Sequence, residues 1–432
     1  LVDFGGARNK DWLPQNIYFN ADSLTVTVTD SSDEGKVLLS GTDGNLKTST
    51  DNIKVIATAE NNTGDAAADL AKIAGVVQLN VKDSDDTSIA QNVSTPHTGY
   101  TVTQEADDIN DAASGIVTLA DDGSATVTNI TKVANVNVTG IAETSAIGLQ
   151  IWRNEINDMN KRMGELRDSM GEANGVWARV YNGKARSGSL SITNKYTTFQ
   201  FGYDHQVSHG VWLGGAVHYT DGDQDFAQGG GENSTYGFTA YGSWLADNGF
   251  FLDVTGKVGR IKNSFDITTS SVHSTGSYHT NAVSVSAEAG WRVYPFENPF
   301  FIEPQVELMY GHVFGEDYRT STGMTVSQSS ADTIIGRAGF ALGIKCPGNR
   351  GNAYIRASVL HDWDGDADYA YTSASGVSRK LTEELGGTWY EYGIGANFNA
   401  TKQLHIYADA ERSSSGVMDT DYRINVGVRY AW

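Results

Sequence analysis

Glu288 and Glu307 lie symmetrically about a short turn at Glu297-Asn298, so adjacent strands joined there would bring the two carboxyls close together. Two carboxyls that close cannot both ionise easily. One would hold a proton it could donate, while another could accept a proton or hold a water that does. Asp253 and Glu303 fall on the same parity of their own runs. Other chemistry is thinly represented. His205, His312 and His361 are scattered singly near strand ends, whereas a barrel lipase requires a Ser and His pair. Cys346 is the single cysteine, so it can form neither an intramolecular disulfide nor a thiol redox pair, and it cannot build a metal cluster. Residues 1–143 present no catalytic constellation, and no nucleotide or other cofactor site is visible.

The segments that must hold these acids alternate with period two. Phe250, Leu252, Val254 and Val258 point one way while Asp253, Thr255 and Lys257 point the other. Val283, Val285, Ala287, Trp291 and Val293 oppose Ser284, Ser286, Glu288 and Arg292. Phe300, Ile302, Val306, Leu308 and Tyr310 oppose Glu303, Gln305 and Glu307. Twelve such runs follow Gly175, near 176–186, 196–206, 210–219, 236–245, 250–259, 282–294, 300–312, 334–345, 352–362, 388–398, 403–411 and 421–432. Each is about the length that crosses a bilayer at a tilt. Their connections alternate: Ser208-His209, Asp247-Asn248, Glu297-Asn298, Pro347 to Arg350 and Ala400-Thr401 are short. The links near 187–195, 220–235, 260–281, 313–333, 363–387 and 412–420 are longer and polar. That alternation, an even strand number and a charged inner face predict an all-β fold, a twelve-stranded antiparallel transmembrane β-barrel over 175–432. Closure leaves no backbone edge in lipid, which predicts a monomer. Pro304, inside one run, predicts a bulge.

Composition agrees. Only 39% of residues are hydrophobic and the formal charge is -21, and no apolar run is long enough for a spanning helix. The acidic balance argues against nucleic acid or an anionic surface as partner. Of 9 Trp, 20 Tyr and 15 Phe, only Phe4, Trp12, Tyr18, Phe19, Tyr100 and Trp152 precede Gly175, so the two parts of the chain face different solvents. Residues 1–143 carry short alternating Thr/Val runs such as Leu24 to Thr29 and Ala125 to Thr131, which suit a stacked β-solenoid or an irregular β-domain; no fixed repeat period is present. The segment Ala59 to Ala68, with no apolar side chain larger than alanine, reads as a loop. The chain starts at Leu1 without a secretory leader, as the C-terminal piece of something longer would.

Between these parts, over 144–174, the period changes. Ile147, Ile151, Ile156, Met159, Met163, Leu166 and Met170 recur at helical spacing, with Ser145 as N-cap and Arg153, Asn157, Asn160, Lys161 and Gly164 on a polar, positively charged stripe.

The run Glu155 to Asp168 followed by Val176-Trp177-Ala178-Arg179 resembles the linker helix and first barrel strand of autotransporters, most closely those of the enterobacterial serine-protease group. The similarity continues through Ala287-Glu288-Ala289-Gly290, Ile302 to Leu308, Ile335-Gly336-Arg337 and the aromatic-ended last strand, and so covers about 150–432. The resemblance implies a helix threading the barrel lumen and secretion of an upstream passenger to the cell surface of a Gram-negative bacterium. It also implies outer-membrane lipid, the β-barrel assembly machinery and periplasmic chaperones as partners, and residues 1–143 as the end of the passenger stem. In that group the passenger is released inside the barrel when an asparagine side-chain amide attacks its own backbone carbonyl, giving a succinimide and a new N-terminus. Asn157 occupies the nucleophile position, Asp158 stands where the family has a second asparagine, and the family's acids fall on Asp253, Glu288 and Glu307. Such a reaction is single-turnover at most. The rival expectations are an uncleaved surface adhesin on the same barrel, a porin, and acids that merely dock the basic residues of the helix.

Overall fold

The computed structural model describes residues 24–28, 37–42, 53–82, 100–119, 125–168, 174–295 and 299–432; of the helix beyond Asn154 it describes the backbone alone. Two compact units divide at Asn135/Val136.

The first unit contains β1 (Leu24–Val28), β2 (Val37–Thr42), β3 (Ile53–Ala57), α1 (Ala66–Val76), β4 (Val77–Lys82), β5 (Tyr100–Gln104), β6 (Ala112–Leu119) and β7 (Ala125–Val133). β1, β3 and β5 stack in parallel, and β2 pairs in parallel with β4. This is how successive turns of a β-solenoid pair, and β6 and β7 then end the stack as an antiparallel hairpin. Helix α1 stands between β3 and β4, which leaves the spacing of the described strands without a fixed period. Helix α1 corrects the loop expected up to Ala68. Leu70, Ile73 and Ala74 recur at helical spacing and bury against Val55, Val102 and Val117, while the Asp69 carboxylate accepts from the Thr63 backbone and hydroxyl just before the helix.

The second unit opens with α2 (Val136–Asp168), nine residues ahead of the expected start. Ser145 is therefore a buried mid-helix residue and not a cap. The residues that concealed this start are β-branched Val136, Val138 and Thr139, whose strand preference is overridden because they sit inside the barrel. Asn135, immediately before the helix, spends its side-chain amide on the carbonyls of Asp107 and Asn110.

The barrel follows: β8 (Asn174–Ser187), β9 (Ile192–Ser208), β10 (Val211–Phe226), β11 (Gly229–Leu245), β12 (Phe250–Thr268), β13 (His273–Trp291), β14 (Phe300–Val313), β15 (Glu316–Arg319), β16 (Thr325–Gln328), β17 (Ala331–Lys345), β18 (Gly351–Asp362), β19 (Asp366–Thr372), β20 (Ser378–Glu384), β21 (Gly387–Asn399), β22 (Leu404–Ser414) and β23 (Met418–Ala431). Twelve of these close antiparallel, β23 pairing with β8, and they coincide with the twelve runs read from the sequence. The links expected as long loops differ. The 220–235 and 260–281 stretches continue the β10/β11 and β12/β13 hairpins well beyond a bilayer's thickness, and 313–333 with 363–387 form a separate four-stranded sheet, β15-β16-β19-β20. Short turns cluster at the other end, where Gly210 and Gly249 adopt the left-handed conformation that tight turns demand.

Face parity holds around the wall. Asp253, Thr255, Lys257, Glu288, Glu303 and Glu307 are buried, whereas Leu252, Val254, Val258, Val306 and Leu308 are exposed to lipid. Inner-face aromatics lie over glycines of the neighbouring strand. A Cβ at Gly202 would come within 2.5 Å of the Trp177 ring, so the strands can close only around glycine there. The bulge expected at Pro304 is absent. Gly290 pairs with Gln305 and Val293 with Ile302 in one register, and Pro304 sits where the β13 ladder breaks between them.

Candidate functional site

The barrel register sets one inward residue from each of five strands in a row: Ser243, Asp253, Glu288, Glu307 and Arg337. Glu288 and Glu307 are direct cross-strand partners, as their symmetry about the turn required. They do not face each other alone. The Arg337 guanidinium donates to Glu307 at 2.7 Å, lies 3.2 Å from Glu288 and donates to Gln305 at 3.0 Å. A positive charge between two carboxylates removes the repulsion on which the shared-proton expectation rested. Asp253, fully buried, accepts from the Ser243 hydroxyl at 2.6 Å.

Arg337 is the functional neighbour that sequence reasoning missed. Its inward parity was available, but its register against Glu307 was not, because residues 314–330 separate β14 from β17. The rest of the wall is likewise mixed rather than acidic: Arg356 pairs with Asp409 at 3.0 Å and Glu411 at 2.9 Å, Arg423 with Glu411 at 2.7 Å, and Arg429 with Asp204 at 2.6 Å. The isolated histidines pair with Asn174 (His205), Asp332 (His312) and Thr388 (His361), which gives no support to a lipase.

Helix α2 fills the lumen from the long-loop end. Tyr371 donates to the Val138 carbonyl at 3.2 Å and Gln224 to that of Thr144 at 3.2 Å. Trp152 is fully buried, its ring lying against Gly259 with the Lys257 ammonium 4.0 Å from its centroid. Arg153 is clamped by Asp362 at 2.9 Å and the Leu385 carbonyl at 3.3 Å, above the Trp389 ring. The side chains of Asn157 and Asp158 lie outside the described residues, although their backbone belongs to α2.

At the loop end, Glu143 of α2 accepts from the Ser189 amide and hydroxyl at 2.7 and 2.6 Å and from the Leu190 amide at 3.1 Å. Half-buried Glu383 of β20 faces it. Burial first, and the Glu143 charge second, push the Glu383 carboxyl up to about 7. Tyr371 of β19 and Arg379 of β20 complete this charged neighbourhood. A carboxyl raised in the folded state stabilises the fold fully below its unfolded range near pH 4.5 and loses that contribution as pH climbs through about 7. The unfolding midpoint should therefore fall between pH 5.5 and 8.5 by a margin that Glu383→Gln removes; an unchanged dependence in that variant would contradict the assignment.

A closed barrel of twelve strands with a helix in its bore narrows the family, and the sequence decides it. The family described as Autotransporter beta-domain matches residues 176–411. This chain belongs to that family. It is 33% identical over 302 residues to the pertactin autotransporter of Bordetella parapertussis, covering 67% of this chain and 32% of that protein. It is 30% identical over 315 residues to the serine protease EspP of Escherichia coli, covering 71% and 24%. The chain thus spans about a third or less of the length of these relatives. Among solved structures, the β-domain of the Bordetella autotransporter BrkA superposes with a TM-score of 0.51 at 23% identity, over 60% of this chain and all of that one. The translocator domain of NalP from Neisseria meningitidis gives 0.54 at 16%, over 67% and 99%, so both share the fold. The autotransporter β-domain is an outer-membrane barrel, and this chain carries one over residues 176–411.

Proposed function

We propose that this translocator secretes the passenger of which residues 1–143 form the stem, and that the exported segment is then released by cleavage between Asn157 and Asp158 inside the barrel. Insertion would rely on the β-barrel assembly machinery and periplasmic chaperones, and the closed barrel would act as a monomer. The parallel stacking of β1, β3 and β5 supports the stem, since such a stack can be extended rung by rung.

The observation that carries the cleavage reading is a ratio of rises. Gly140 lies against Ile267 and Trp152 against Gly259, so about 1.5 helix residues pass per strand residue. Continued from Gly259 to Asp253, that ratio reaches about residue 161, roughly one turn past Asn157 and Asp158. This extrapolation supports the reading that Asn157 works within about one helical turn of the acid row. In this scheme the Asn157 amide nitrogen attacks its own carbonyl carbon and the Asp158 nitrogen leaves as an amine. Asp253, the acid of the row furthest from Arg337, takes the proton from the nucleophile directly or through water and returns it to the departing Asp158 nitrogen, so that the proton lost by the attacking amide is the one the new amine gains. Glu288 and Glu307, held by Arg337, orient the helix and the reacting peptide.

Asp253→Asn should cut the rate of passenger release about a hundredfold while the barrel still inserts, measured by immunoblot of cells and culture medium. Release at the normal rate would remove Asp253 from the reaction. The Arg337 bridge also favours a second reading, in which the acids serve the wall alone and the passenger stays tethered as a surface adhesin. In that case no released fragment forms in the parent protein either.

A further inference from the structure

The outer face of β23, β8, β9 and β10 carries an apolar groove of about 620 Å³ lined by Ala178, Val180, Phe199, Phe201, Val217 and Val428. Its floor is low because alanine stands at the outward position 178 between larger neighbours. Two outward positions nearer the long-loop end, Lys184 on β8 and Lys195 on β9 are direct cross-strand partners, as Val180 and Phe199 are below them. Like charges directly opposite each other are unfavourable on a sheet unless something neutralises them. Asp421 does so in part. A register shift between Thr420 and Tyr422 leaves Asp421 as the extra residue of a bulge, and its carboxylate sits 3.4 Å from Lys184 and 2.7 Å from Arg186. Those cations hold the Asp421 carboxyl below the usual carboxylate range against its partial burial. Asp223 stands across from Lys195 on β10, yet no ion pair closes between them among the described residues.

From this stacking of an acyl-sized groove under a lysine pair, we infer a binding site for a phosphate-bearing, multiply acylated lipid of the outer leaflet. One acyl chain lies in the groove and a headgroup phosphate bridges Lys184 and Lys195. The chemistry is that of cationic side chains at a bilayer surface meeting an anionic headgroup, with Arg186 available as a third donor. The position follows from the fold, because the long-loop end of the barrel is the outer one and the lysines stand just beyond the apolar band of their own strands. This site is independent of the cleavage reading.

The test is a titration of the full chain, purified from outer membranes and exchanged into mild detergent. The probes are lipid A, lipid A stripped of its phosphates, and inorganic phosphate; bound lipid is counted by native mass spectrometry. Lipid A should bind about tenfold more tightly than its phosphate-free form, and Lys184→Gln/Lys195→Gln should abolish that difference. Ala178→Trp, which fills the groove, should weaken both lipids. If the double variant fails to insert, raising the salt to about 0.5 M with the parent protein should erase the same discrimination by screening. Equal binding of the two lipids by the parent protein, or discrimination that survives loss of both lysines, would overturn the site. Inorganic phosphate that competes fully with lipid A would reduce it to a general anion patch and overturn it equally.

Discussion

Replacing Arg337 with methionine should destabilise the barrel by about 3 to 5 kcal/mol, among the largest effects available to a single substitution in this wall. The guanidinium lies between two buried carboxylates, at 2.7 Å from Glu307 and 3.2 Å from Glu288. Removing it takes a buried positive charge away from both carboxylates at once, and also takes the Arg337 donor from the Gln305 side-chain oxygen. The cost arises from the acids left behind and not from the lost attraction, so it should be recoverable. Arg337→Met combined with Glu288→Gln and Glu307→Gln should regain most of the stability, because neutral amides need no counter-charge. Heat-induced unfolding in detergent, followed by the mobility difference between folded and unfolded barrel, measures both. A triple variant no more stable than the single one would show that the row is held by packing and not by charge.

Trp152→Ala should cost about 3 to 5 kcal/mol as well, and should open the bore. Trp152 is among the largest fully buried side chains. Its ring fills the notch left by Gly259, lies tilted near His218 and receives the Lys257 ammonium at 4.0 Å. The alanine variant loses the packed ring, and Lys257 loses its cation–π contact with it. The outer half of α2 remains clamped by Arg153 to Asp362 and by Tyr371 to Val138, so the defect is a local void beside the helix rather than its expulsion. In planar bilayers, open-channel events should be more frequent and longer than for the parent protein. A variant that stays as closed as the parent would place the seal elsewhere along the helix.

The barrel was readable because lipid on one side and a polar bore on the other force every crossing strand into period two, and Leu252 or Val306 cannot exchange faces with Asp253 or Glu307. The pairing of Glu288 with Glu307 was readable too, since a tight turn fixes register locally. What escaped shares a physical cause: tertiary context overrode local preference. Val136 to Gly140 have the composition of a strand and form a helix because the bore accepts nothing else. In α1 the sequence begins with alanines that announce no apolar face until Leu70. The hairpin extensions and the β15-β16-β19-β20 sheet alternate in the opposite sense, with Ile261, Phe265, Ile267, Tyr369 and Tyr371 buried inward and polar residues facing water, the reverse of the pattern that lipid imposes. Arg337 required a register that passes through 17 residues of intervening loop and sheet between Val313 and Ala331. Of the candidate site, the acids were therefore legible and the cation that governs them was not.

The central claim is that the lumen of this translocator is also the place where its passenger is released. Intact mass and N-terminal sequencing of the protein purified from outer membranes, beside an Asn157→Ala variant, test it most directly. The account predicts a membrane-held fragment beginning at Asp158 in the parent and full-length chain in the variant. Full-length chain in both, or a fragment in both with the same N-terminus, would contradict it.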